Sequence, residues 1–173
     1  MVEKEEHHML HEMKVSGIAI DPASNAPIVI LKTIEGDQAL PIWIGILEAT
    51  AIATELENVR MARPMTHDLF KNFLDMLQIK ISRVEVCDLK DNTFYARIFF
   101  SFDNQSYDID ARPSDAIALG LRADCPIFVE DKVFQKSRHL QEEPEAWDKS
   151  EEGKKMKEYL EKLRPEDFGK FKM

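Results

Sequence analysis

Residues 39–70 read ALPIWIG, then ILEATAIATELEN, then VRMARPMTHDLF, and the fold turns on them. Leu40, Ile42, Trp43 and Ile44 form a short apolar run with Pro41 near its start, as a buried strand does. Gly45 breaks the run. Ala49, Ile52, Ala53 and Leu56 then recur at helical spacing, which predicts a helix over residues 46–58. Thr66 is the expected N-cap of a second helix, with His67 and Asp68 in its first turn and Pro64 fixing the approach.

Upstream, residues 14–21 (KVSGIAID) and 27–35 (PIVILKTIE) read as strands parted by Asp21-Pro22 and Ser24-Asn25. Downstream, strands are expected over 79–89, 94–102 and 106–111. A helix follows over 114–122, then a short strand over 126–130. Phe94, Ala96, Ile98, Phe100 and Phe102 alternate onto one strand face. The order strand-strand-strand-helix thus occurs twice. AIATEL (51–56) aligns with AIALGL (116–121), which sets Ile44 opposite Ile109, and RPMTHD (63–68) echoes RPSD (112–115). A duplicated β-β-β-α unit explains the match; chance among helices rich in Ala and Leu is the alternative. The expected fold is α+β, with two such units around one core and a C-terminal helix. Residues 1–12 read as a flexible N-terminus, 13–138 as one domain, and 139–173 as a linker and helical tail.

Composition narrows the function classes. The chain has 173 residues, 44% apolar and 32% charged, and no apolar run long enough to span a bilayer. The acidic start MVEKEEHHMLHEM lacks an apolar signal core, so a cytoplasmic protein is expected. Cys87 and Cys125 have no C-x-x-C partner and suit a reducing compartment. Net charge is −9, and residues 1–130 carry all of it, with 12 Lys+Arg against 21 Asp+Glu. Such a body repels a phosphate backbone, so any nucleic-acid chemistry needs local arginines, a metal ion, or both.

Two polar segments can carry chemistry. At residues 63–68, free N–H groups at a helix start can hold phosphate, and Arg63 can add a bidentate contact. His67 beside Asp68 suits a general base or a metal ligand. An ordinary capped helix with Arg63 paired to a carboxylate fits as well. Residues 112–115 repeat the grammar: Arg112, then Ser114 as expected cap, then Asp115 on the dipole. Asp108 and Asp110 share a strand face, and together they suit a hard divalent cation or a solvated sheet edge. Glu48 adds a carboxylate in the first turn of the first helix. His7, His8 and His11 belong to the N-terminal run. No P-loop, nucleophile-elbow or zincin pattern is present.

LPIWIGILEATAI (40–52), RPMTHDL (63–69), DARPSDAIALGLRADCPIFV (110–129) and the closing PEDFGKFKM resemble the bifunctional nuclease domain family. The resemblance covers nearly all of the chain from Met13. It implies a compact α+β domain with a β-β-β-α duplication, and plant members resemble nucleases that degrade both DNA and RNA. Motif membership passes to Glu48, Arg63, Thr66, His67, Asp68, Asp110, Arg112, Ser114 and Asp115. Two functions are therefore expected in competition. One is a nuclease assisted by Mg²⁺ or Mn²⁺. In it His67, Asp68 and Glu48 are catalytic, and Arg63, Thr66, Arg112 and Ser114 bind DNA or RNA. Asp68, Asp110 and Asp115 would then hold metal. The other is a non-enzymatic module that holds a small anionic ligand or a partner protein. The nuclease needs both Arg-Pro segments in one cleft. A homodimer is expected from the apolar surface of strand 94–102.

Overall fold

The computed structural model of the protein describes residues 9–142. The elements are β1 (Leu10–Ile20), β2 (Pro27–Thr33), β3 (Ala39–Trp43), α1 (Ile46–Leu56), α2 (Thr66–Met76), β4 (Lys80–Lys90), β5 (Thr93–Phe102), β6 (Gln105–Ala111), α3 (Pro113–Ala123), β7 (Ile127–Glu130) and α4 (Asp131–Glu142). The strands form one sheet, in the order β3-β2-β1-β7-β4-β5-β6. Every neighbouring pair is antiparallel except β4 and β7, which run parallel. This is an α+β fold, as the sequence leads one to expect. Two antiparallel meanders, β1-β2-β3 and β4-β5-β6, flank the four-residue β7.

Local chemistry explains the hairpins. Asp91-Asn92 joins β4 to β5 and Asp103-Asn104 joins β5 to β6, with φ of 47°, 58°, 49° and 58°. Asp and Asn tolerate this left-handed backbone, and two such residues match the twist of the flanking strands. Helices α1 and α3 pack together over one face of the sheet. Ala49 and Ala51 on α1, and Ala116 and Ala118 on α3, keep the helices close, and Ile52 and Ile117 are wholly buried. Each such aliphatic side chain contributes about 1.5–3 kcal/mol. Beneath them lie Val29, Leu31, Val84, Val86, Ala96, Ile98 and Phe100.

Both ends differ from expectation. β1 begins at Leu10 rather than residue 14, because Leu10 and His11 pair with Glu130 and Val129 of β7. His11 Nε2 lies 2.9 Å from Asp131 Oδ1, and the ring meets Phe134 edge-on at 5.3 Å. A domain start at residue 13 therefore cuts β1, and a domain end at residue 138 cuts α4. That helix is anchored by buried Val133 and Phe134. The helix expected over 149–163, the closing PEDFGKFKM, and His7 and His8 lie outside the described residues.

The apolar surface of β5, from which a homodimer is expected, is mostly buried within the chain. On the β5 face Ala96, Ile98 and Phe100 are buried inside one chain, whereas Phe102 is exposed. Phe99, on the opposite face, lies under the Arg83 guanidinium at 3.7 Å. Further exposed apolar surface sits on α2 (Leu69, Phe73, Met76) and β6 (Tyr107, Ile109).

Candidate active site at three helix starts

Three helices place a carboxylate at the same position, the third residue after the N-cap. The N-caps are Gly45 for α1, Met65 for α2 and Arg112 for α3. Glu48, Asp68 and Asp115 are therefore equivalent, and each complements the positive end of its helix. Thr66 and Ser114 are not caps. Pro113 takes the first helical position of α3 and moves the cap back to Arg112. In α2, Asp68 Oδ2 accepts the Met65 backbone N–H at 2.9 Å, which is the returning half of a capping box.

The three starts are linked by a chain of polar contacts. His67 Nε2 on α2 lies 3.0 Å from Asp115 Oδ1 on α3. Arg112 Nε donates to Asp115 Oδ2 at 2.7 Å, and its Nη1 donates to Glu48 Oε1 on α1 at 2.8 Å. Burial alone would raise the Asp115 carboxyl, but Arg112 and His67 outweigh it and hold the group below its ordinary value. Asp115 in turn, with Glu48 adding to it, raises Arg112 above its usual range. His67 is mostly buried, whereas the Arg112 side chain is 65% exposed. The tautomer that satisfies Asp115 carries hydrogen on Nε2, leaving Nδ1 as a lone-pair acceptor.

Asp68 faces another partner, one the sequence did not suggest. Its Oδ1 accepts from Arg122 Nε at 2.5 Å, and Arg122 Nη1 donates to the carbonyls of Ala51 and Ala118, each at 2.9 Å. Burial would raise the Asp68 carboxyl; Arg122 and the Met65 N–H outweigh it and lower it. Arg122 therefore ties α2 to α1 and α3. A cation in the last turn of a helix reads as a dipole complement, and no spacing rule links it to a carboxylate 54 residues earlier.

The remaining expected residues fall elsewhere. Arg63 is exposed and makes no ion pair with a described residue. Thr66 is exposed at the first position of α2. Asp110 pairs across the sheet with Arg97, and Asp108 with Phe99, while Ile109 pairs with buried Ile98. Strand alternation thus turns Asp110 away from the helices. It lines a groove on the far face with Glu85, Cys87 and Glu130. Asp68, Asp110 and Asp115 do not form one centre, and no three His, Cys, Asp or Glu side chains among the described residues gather to hold a metal ion. The polar contacts therefore join His67, Asp115, Arg112 and Glu48, without Asp110.

Beside Arg112 a cleft of about 390 Å³ opens between the starts of α1 and α3 and the β4–β5 turn. Ile42, Ile44 and Phe94 give it apolar walls, and Glu48, Asn92, Arg112 and Ser114 give it polar ones.

The bifunctional nuclease domain model matches residues 29–142, and the chain belongs to that family. An uncharacterized protein of Mycobacterium tuberculosis (strain H37Rv) is 38% identical over 91% of this chain and 97% of its own length. Bifunctional nuclease 1 of Arabidopsis thaliana is 28% identical over 60% of this chain, which spans 33% of that protein. Bifunctional nuclease 1 of Oryza sativa subsp. japonica is 24% identical over 61% of this chain and 33% of its own length. No described helix is long and apolar enough to cross a membrane.

Proposed function

We propose that the protein is a nuclease that hydrolyses phosphodiester bonds of DNA or RNA at the joined starts of α1, α2 and α3. The observation that carries this reading is the His67–Asp115 pair, 3.0 Å apart across two helices, with Arg112 on the same carboxylate. His67 Nδ1 takes a proton from the attacking water, and Asp115 holds the ring and stabilises the imidazolium. The water oxygen bonds to phosphorus, the bond to the leaving oxygen breaks, and the imidazolium returns the proton to that oxygen. Arg112 meets the phosphate through Nη2, since Nε and Nη1 are held by Asp115 and Glu48. Asp68 supports the site by fixing the first turn of α2 through Arg122. The family name and the plant relatives support the reaction class.

The residues expected to hold Mg²⁺ or Mn²⁺ do not gather, so no step here runs through a metal. An ion carried in with the substrate would meet Glu48 and Asp115. The reading places the reaction in the cytoplasm, where Cys87 and Cys125, both free in the fold, stay reduced. It assigns the exposed apolar face of α2 to a second copy. Light scattering that returned a 20.0 kDa particle at micromolar concentration would overturn the dimer.

The test is cleavage of labelled DNA and RNA oligonucleotides in Mg²⁺, Mn²⁺ or chelator. Cleavage should fall about 10²–10⁴-fold in His67→Ala and in Asp115→Asn. Cleavage undiminished in both variants, or none by the native protein under any condition, would refute the reaction. The net charge of −9 favours a second reading, a module that holds a small anion without reacting. Ligand protection against melting, with no cleavage, would select it.

A further inference from the structure

The cleft beside Arg112 carries a polar group that is unpaired among the described residues. Ser114 is only 6% exposed, lines the cleft, and its hydroxyl has no hydrogen-bond partner among the described residues. Buried hydroxyls are nearly always bonded, and one left open on a cleft wall points to a ligand. Two neighbours suit a flat heterocycle. Phe94, at the start of β5, stands half-buried on the wall. Asn92 is exposed in the β4–β5 turn, and its side-chain amide bonds no described residue.

Charge decides what kind of strand such a cleft takes. Arg112 is the only cation among the lining residues, Glu48 beside it offsets its charge, and the whole chain carries −9. Nothing here tracks a phosphate backbone, and duplex binding draws its affinity from that. Affinity must then come from one phosphate and from ring contact, and a base paired inside a duplex offers no face to Phe94.

We infer that this cleft takes an unpaired nucleobase over Phe94 and beside Asn92, with its phosphate at Arg112 and Ser114, so that the substrate is single-stranded nucleic acid. The inference rests on the phosphodiester reading above and adds the substrate form. Asn92 and Phe94 set specificity, and Ser114 receives the phosphate.

The full chain is titrated with nucleoside 5′-monophosphates, with inorganic phosphate, and with a single strand and a blunt duplex of equal length at one salt concentration. Variants are Phe94→Leu, Ser114→Ala and Asn92→Gly. The last keeps the turn, since glycine accepts the φ of 58° at that position. The single strand should bind at least about tenfold tighter than the duplex. Phe94→Leu and Asn92→Gly should each weaken the monophosphate about fivefold or more and leave inorganic phosphate unchanged. Ser114→Ala should weaken both ligands. Equal binding of strand and duplex overturns the inference. So does native-like monophosphate affinity in both Asn92→Gly and Phe94→Leu. Strand-selective binding without cleavage would sink the nuclease reading and leave the cleft standing as a site that binds a single strand as ligand. Equal cleavage of strand and duplex would do the reverse.

Discussion

Arg122→Ala removes a guanidinium whose side chain is only 5% exposed. Three acceptors lose a donor: Asp68 Oδ1 at 2.5 Å and the carbonyls of Ala51 and Ala118 at 2.9 Å. Both carbonyls keep their helical N–H partners, and that of Ala51 also keeps the Thr54 hydroxyl, so neither is left unbonded. Asp68 suffers more, because its carboxylate then faces the gap left by the arginine stem. Removing one partner of a buried pair costs about 3–5 kcal/mol, but Asp68 is 30% exposed and water reaches it. A loss of about 2–4 kcal/mol is expected. Urea unfolding followed by circular dichroism should show a lower midpoint at an unchanged slope. Arg122→Lys should recover part of the loss, since one ammonium cannot span the three acceptors. Acid behaviour gives a second check. The folded Asp68 carboxyl lies below 3.8, so its contribution is complete above that pH and is lost as pH falls through the lowered value. Asp68→Asn should therefore flatten the decline in stability below about pH 4. An Arg122→Ala protein within about 1 kcal/mol of native, with the slope unchanged, would refute the role given to this clamp.

Phe134→Ala should cost about 3–5 kcal/mol in the same assay, because the ring is buried and meets His11 edge-on. Native-like stability would mean that α4 is not part of the core. At Gly120 an added Cβ would lie 3.1 Å from Val84 Cγ2. Gly120→Ala gains up to about 1 kcal/mol of helix propensity and loses about 1–3 to overpacking, so a net loss near 1 kcal/mol is expected by thermal melting. Burial pushes the Cys125 thiol up to about 11. At pH 8 iodoacetamide should modify it slowly in the native protein and quickly in urea, as mass spectrometry of the modified peptide would report.

The three meeting helices were legible in sequence because Gly45, Pro64 and Pro113 mark their starts and Ile52 and Ile117 their buried sides. The caps were misplaced by one or two residues, since a hydroxyl near a helix start looks the same at the cap as in the first turn. Helix α4 was missed because the apolar residues Val133 and Phe134 stand side by side in DKVFQKSRHLQE among charged and polar ones, too little for a period to show. Asp110 was grouped with Arg112 by closeness in sequence, although strand alternation, readable from Ile109 and Ala111, turns it away. The link from Asp68 to Arg122 depends on how α2 lies across α3, which no local pattern records.

The four residues of β7 give the sheet a history in time as well as a shape. Leu10 pairs with Glu130, so the first strand finds one of its neighbours only when the last is made. At about 5–20 residues per second, roughly 4–17 s separate the synthesis of β3 from that of β7. Throughout that interval one margin of β1 has no strand beside it, a free template for pairing with another chain. The meander β4-β5-β6 is complete before β7 arrives, so the last step is the closing of a gap between two finished halves. Sheet closure should therefore be slow and sensitive to protein concentration, while the hairpins on either side form early.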